Sequence, residues 1–133
     1  MNDFFNEGIY KYNCKDLKNR EKTGTCEIIY RKSVETNSVE IRLKYNNILE
    51  KTTFFDNGRF NNFSSNNSIK AGIFSISKNS LTINCKGNSS YCGQFKHFKV
   101  IFSKKKYGYT IEWFVKENYK FEFFLMEELI LEE

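Results

Sequence analysis

The chain has 133 residues, a formal net charge of +5 and no proline, and 17% of its residues are aromatic. This length predicts one domain over residues 1–133 that buries a real core. No apolar stretch is long enough to cross a bilayer as a helix, so we expect no membrane partner. The lysines are spread along the chain except at residues 104–106, which favours an ordinary solvated surface over a nucleic-acid partner.

The cysteines and the single histidine do not have the spacing of a metal site. The four cysteines lack C-x-x-C pairs, and His97 stands alone, so we expect no metal. The start of the chain has neither a basic region nor an apolar run, so no signal peptide is expected. We therefore expect a cytoplasmic or plastid-stromal protein with reduced thiols. The cysteines are Cys14, Cys26, Cys85 and Cys92.

Short runs of alternating apolar and polar residues, separated by turn signals, predict about nine β-strands. The clearest alternation places Val39, Ile41 and Leu43 on one face. An Asp-Asn-Gly triplet at 56–58 is a strong hairpin turn. The last residues, 126–133, are expected to form one helical turn or a frayed tail. The predicted strand segments cover residues 8–12, 25–32, 38–45, 48–55, 59–63, 69–77, 81–85, 93–102, 109–116 and 119–126.

Consecutive hairpins without a long crossover favour an up-and-down meander. Closing such a meander into a barrel removes its exposed edge strands. The predicted fold is therefore all-β, a small antiparallel up-and-down β-barrel. A closed barrel of this strand number has an interior just wide enough for one small ligand. The fold alone thus makes a ligand pocket plausible.

The densest aromatic block, residues 107–126, contains the only tryptophan, Trp113. Period-two alternation on both sides of a break predicts a hairpin of two half-buried strands. We predict a three-residue loop at 117–119, which places Lys116 opposite Lys120 and Trp113 opposite Phe123 and keeps the apolar rows together. In this register one face carries Thr110, Glu112, Phe114, Lys120, Glu122 and Phe124.

Several short motifs resemble those of the S-type phycobiliprotein lyases, which are calycins with a lipocalin-like barrel. Gly8-x-Tyr10 stands where lipocalins carry Gly-x-Trp on the first strand. The Trp-Phe-x-x-x-Asn motif at 113–118 is similar to that lyase family's signature. The segments Ala-Gly-Ile-Phe at 71–74 and Leu-Thr-Ile at 81–83 resemble its middle hairpin. Where the family has an acidic residue and an arginine, this chain has Thr110 and Lys120.

The resemblance implies a barrel that binds an open-chain tetrapyrrole, a phycobilin, and assists its thioether attachment to a cysteine of a phycobiliprotein subunit. The nucleophile would belong to that client, so no catalytic residue is assigned here. A carboxylate for pyrrole N–H groups, a cation for the propionates and aromatic walls are implied. The ligand-binding candidates are Thr110, Glu112, Phe114, Asn118, Lys120, Glu122 and Phe124. Gly8, Tyr10 and Trp113 are structural candidates, with Trp113 outside the pocket.

Other interpretations stay open. Periodicity alone places Trp113 inside the barrel and Glu112 and Lys120 outside, as the solvated face of a half-buried sheet. The barrel could also carry another apolar ligand, such as a fatty acid, without any catalysis. A third interpretation is an interaction barrel that uses the basic, aromatic surface of residues 104–107 and Tyr109.

The first testable prediction concerns the thiols. All four cysteines should be free in the native protein, because nothing in the sequence indicates an oxidising compartment. Alkylation in denaturant without reductant, followed by mass spectrometry, should find four modified cysteines. A stable Cys85–Cys92 disulfide would contradict this prediction.

Overall fold

The computed structural model describes residues 3–16, 21–64, 69–85, 98–117 and 120–132, and these ranges contain ten β-strands and no helix. The strands are β1 (Gly8–Asp16), β2 (Glu21–Lys32), β3 (Asn37–Tyr45), β4 (Ile48–Phe55), β5 (Arg59–Ser64), β6 (Ile69–Ser77), β7 (Ser80–Cys85), β8 (Phe98–Lys105), β9 (Gly108–Glu117) and β10 (Lys120–Leu131).

The ten strands form a closed antiparallel barrel with up-and-down topology, which confirms the predicted fold class. Each strand pairs with the next one in sequence, and β1 pairs with β10 from Tyr10↔Leu131 to Asp16↔Leu125. The prediction of a helical turn or a tail after residue 126 is wrong. That segment belongs to β10, because β1 needs a hydrogen-bonding partner to close the sheet.

The register predicted for the last hairpin is also wrong. Glu117 pairs with Lys120, so two residues connect the strands instead of three. A β-bulge between Phe123 and Leu125 then shifts the pairing, and Trp113 lies opposite Leu125. A bulge adds one unpaired residue to one strand and so changes the pairing. The alternation of apolar and polar residues in the neighbouring strand stays the same and does not indicate the bulge.

An aromatic plug, formed by Phe4 and Phe5, fills one end of the barrel. β1 begins at this end, where the β2–β3, β4–β5, β6–β7 and β8–β9 connections also lie. Both rings are buried. The Phe5 ring stacks on Phe54 at a centroid distance of 5.3 Å and meets Phe102 edge-on at 6.2 Å. The plug therefore fills interior space that the strands alone leave open.

Tyrosine hydroxyls satisfy the backbone of the plug. Tyr109 donates to the Phe4 carbonyl oxygen at 2.9 Å and accepts a hydrogen bond from the Asn6 N–H at 2.8 Å. Tyr30 donates to the carbonyl oxygen of Phe5. Buried backbone groups without partners would be costly, so these hydroxyls make it possible for a non-strand segment to enter the core.

The second prediction tests the plug. Phe5→Ala should reduce the free energy of unfolding by about 3–5 kcal/mol, because it removes a buried ring and leaves a void beside Phe54. Phe63→Ala is the matched control, since Phe63 is 50% exposed, and it should cost less than about 1 kcal/mol. Urea unfolding of both variants measures the difference. Equal losses would show that Phe5 does not support the core.

Candidate functional site

Beyond the plug, the barrel interior contains a cavity of about 60 Å³. We call it the barrel cavity. Most of the side chains that line it, including Trp113, are aliphatic or aromatic, and Cys26 also contributes. A few polar side chains from four strands interrupt this apolar wall. They are Tyr12, Glu50, Thr52, Asn62 and Glu127.

Glu127 is the most unusual residue of the cavity wall. Its side chain is only 7% exposed, and it belongs to β10 at the centre of the closing strand pair. Tyr12 on β1 donates its hydroxyl hydrogen to Oε2, and the Trp113 Nε1–H on β9 donates to Oε1. Because Tyr12 and Trp113 lie diagonally from Glu127 on the flanking strands, long aromatic side chains can reach the carboxyl group from both sides.

Burial raises the pKa of Glu127 above its ordinary value, and the nearby Glu50 acts in the same direction. The hydrogen bonds from Tyr12 and Trp113 oppose this effect without cancelling it. Burial, followed by the charge of Glu127, also raises the pKa of Tyr12, which therefore remains a hydrogen-bond donor. Burial raises the pKa of the Cys26 thiol to about 12, so Cys26 is not a nucleophile at neutral pH.

A second polar group lies beside Glu127. The Tyr45 hydroxyl donates to Glu50 Oε1 at 3.0 Å, and the Tyr45 ring lies 5.4 Å from the ring of Tyr12. The Lys22 Nζ lies 5.5 Å from the centroid of the Tyr45 ring. In this part of the barrel the described side chains thus combine two carboxyl groups, the Lys22 ammonium group and the aromatic rings of Tyr12, Tyr45 and Trp113.

Those ligand-binding residues predicted from the resemblance whose side chains the structure describes lie outside the barrel cavity. Thr110, Glu112 and Phe114 alternate along β9 with Tyr109, Ile111 and Trp113, and these last three face the interior. The first three therefore lie on the outer face, and the face that periodicity assigned to Trp113 is the observed one. Lys120, Glu122 and Phe124 belong to β10, but their side chains are not among those the structure describes. Asn118 lies outside the described residues.

The structural candidates of the first strand are at the plugged end. Tyr10 is buried and donates its hydroxyl hydrogen to the Asn6 carbonyl oxygen at 2.6 Å. Gly8 pairs with Ile28, and a Cβ at that position would lie 2.9 Å from Leu131 Cδ1. Neither residue lines the barrel cavity.

Sequence reasoning missed Tyr12, Glu50 and Glu127. One signal for Glu127 was present, because the period-two run Leu125-x-Glu127-x-Leu129 places an acidic residue on an apolar face. This signal was lost when residues after 126 were assigned to a tail. Glu50 gave a weaker signal, as it shares a face with Ile48 and Phe54.

The outer face carries a separate charged cluster around Glu40. Its side chain is buried on the outside of the sheet, with Arg31 Nε at 2.5 Å, Lys51 Nζ at 3.0 Å and Arg42 Nε at 3.4 Å from its oxygens. Burial acts to raise the pKa of Glu40, but the bonds to Arg31 and Lys51, with help from Arg42, outweigh it and lower the pKa to about 2. We assign this cluster to the stability of the β2–β4 sheet.

Comparison with known proteins adds no identification. No protein-family model matches the chain, and no curated protein sequence matches it significantly. The part of the chain that the structure describes contains no group of three or more metal-ligating side chains and no helix that could span a membrane.

The third prediction follows from the raised pKa of Glu127. Above the ordinary value of 4.5 the unfolded chain loses a proton that the folded protein keeps. Stability should therefore fall as the pH rises, by up to about 1.4 kcal/mol per pH unit, until the raised pKa is passed. Glu127→Gln removes this dependence. Urea unfolding between pH 5 and 8 should show the parent losing stability relative to the variant, and parallel curves would contradict the assignment.

Proposed function

We propose that the protein binds a small, largely apolar molecule in the barrel cavity and holds the polar group of that molecule at Glu127. The observation that supports this is a buried carboxyl group on the wall of an otherwise apolar and aromatic cavity. Burying such a group costs free energy, and the packing of the barrel does not require it. Apolar pockets with a few converging polar groups and a shifted pKa are typical of binding sites.

The volume of the cavity supports a small ligand. A water molecule needs roughly 10–15 Å³ of such space, so a cavity of about 60 Å³ corresponds to a molecule of about four to six non-hydrogen atoms. A larger ligand would have to displace wall side chains such as Trp113 or Leu43. We therefore favour a carrier of a small ligand over a carrier of a long-chain fatty acid.

Phycobilin binding is a narrower form of this proposal, and it is supported by the resemblance and by an interior carboxyl group that can accept pyrrole N–H bonds. The acceptor would then be Glu127 rather than Glu112. A tetrapyrrole is several times larger than the cavity, so binding would require the barrel to widen. Titration with phycocyanobilin should produce a red-shifted, sharpened visible band if this form is correct, and an unchanged pigment spectrum would exclude it.

The fourth prediction tests occupancy of the cavity. Small compounds that bind should raise the free energy of unfolding, by about 2.7 kcal/mol at a concentration of one hundred times Kd. Ile83→Phe should abolish the effect, because Ile83 is buried and lines the cavity. The control is Ile73→Phe, since Ile73 is 67% exposed and outside the cavity.

The experiment is a thermal and urea unfolding screen of compounds with roughly four to ten non-hydrogen atoms, followed by titration of the compounds that stabilise the parent. The parent and the control should respond to the same compounds. The proposal would be wrong if no compound stabilised the parent, or if the cavity-filled variant responded as the parent does.

A further inference from the structure

We infer that the ligand of the barrel cavity is a small primary ammonium ion on a short apolar chain, with its charge bound at the carboxyl groups of Glu127 and Glu50. This inference rests on the proposed function and names the class of molecule that the cavity takes. It follows from the charges, the aromatic rings and the volume of the cavity.

The cavity has an excess of acidic groups. Glu127 and Glu50 both line it, and the charge of Glu50 disfavours ionisation of Glu127. Lys22 acts on Glu127 only through space, and its ammonium group lies over the Tyr45 ring. Glu127 takes part in none of the ion pairs that join described residues. A cationic ligand would supply a countercharge that stabilises the ionised form of Glu127.

The outer cluster of the same barrel provides a comparison. Glu40 is also buried, but three cationic side chains lie within 4.0 Å of its oxygens. Charged groups buried for structural reasons are normally paired in this way. Glu127 is buried to a similar degree, and its hydrogen-bond donors among the described residues are the neutral groups of Tyr12 and Trp113. From this difference we assign the carboxyl group of Glu127 to ligand binding and that of Glu40 to the stability of the fold.

The aromatic side chains also favour a cation. Tyr12 and Trp113 contact Glu127 directly, and Tyr45 contacts Glu50. Ring faces attract ammonium groups, most strongly where water is excluded. The position of Lys22 over the Tyr45 ring is an intramolecular example of this arrangement. Among the side chains that the structure describes here, an anionic ligand would meet two carboxyl groups and one ammonium group, so its binding is disfavoured.

Binding should release a proton. Burial in the empty cavity favours the neutral form of Glu127, since it raises the pKa of this group. When the ammonium ion binds to the protonated form, the Glu127 O–H bond breaks, its proton passes to the buffer, and the carboxylate accepts N–H bonds from the ligand, which keeps its own protons. Among the described residues, the titratable and charged groups that act on this site are Tyr12 and Cys14 on β1, Lys22 and Cys26 on β2, Tyr45 on β3 and Glu50 on β4.

The test is isothermal titration calorimetry at pH 7 with three probes of equal chain length, n-butylammonium, 1-butanol and butyrate. Repeating each titration in two buffers of different ionisation enthalpy counts the protons released. We expect n-butylammonium to bind at least ten times more tightly than 1-butanol, to release protons on binding, and to compete with any compound found in the stabilisation screen. Butyrate should bind most weakly.

Glu127→Gln should abolish proton release and weaken n-butylammonium binding by roughly ten- to a hundredfold, the loss expected for one charge-assisted hydrogen bond. Glu128→Gln is the matched control, because Glu128 is the exposed neighbour on the outer face. It should bind like the parent and release the same proton. If Glu127→Gln does not fold, the probe order and proton count of the parent, together with weaker binding by Glu50→Gln, decide the matter.

The outcomes separate this inference from the proposed function. Tight binding of 1-butanol, with n-butylammonium no better and no proton released, would overturn the inference and leave the proposed function standing. The same holds if none of the three probes binds while the stabilisation screen finds neutral ligands. Failure of both the probes and the screen would overturn the two proposals together.

Discussion

The pairing of β1 with β10 closes the barrel and also assembles the candidate site. Tyr12 and Glu127 are 115 positions apart in sequence, and only this strand pair brings them together. The same closure encloses an interior that the chain has to fill. The aromatic plug fills one end of it, and what remains beyond the plug is the barrel cavity. Fold and site therefore depend on one interaction, and disrupting the closing strand pair would remove both.

The two buried glutamates show how the chain divides stability from function. The cluster around Glu40 gains from three cations and keeps that carboxyl ionised over the physiological pH range. Glu127 has two neutral donors in an apolar wall, where ionisation is disfavoured. Apolar side chains in place of Glu127 and of both its donors would serve the stability of the barrel as well, because a buried carboxyl group contributes little net stability. Features that conflict with packing in this way tend to mark functional sites.

Much of the fold could be predicted from the sequence, because alternation and turn residues report the local structure of each strand. The predicted segments 38–45 and 48–55 nearly coincide with β3 and β4. The register of the last hairpin could not be predicted, since the bulge before Leu125 depends on how β10 fits between β1 and β9. The site was missed for a related reason. Glu127 becomes an interior residue only when residues beyond 126 are recognised as the closing strand.

The central claim is that the cavity ligand binds at Glu127, and the indole group of Trp113 reports on it directly. Trp113 is the only tryptophan, and its Nε1–H donates to Glu127. A ¹⁵N–¹H spectrum therefore contains one indole signal. On titration with n-butylammonium we predict that this signal shifts and saturates at the concentrations at which calorimetry detects binding. Calorimetric binding that left the indole signal unchanged would contradict the account.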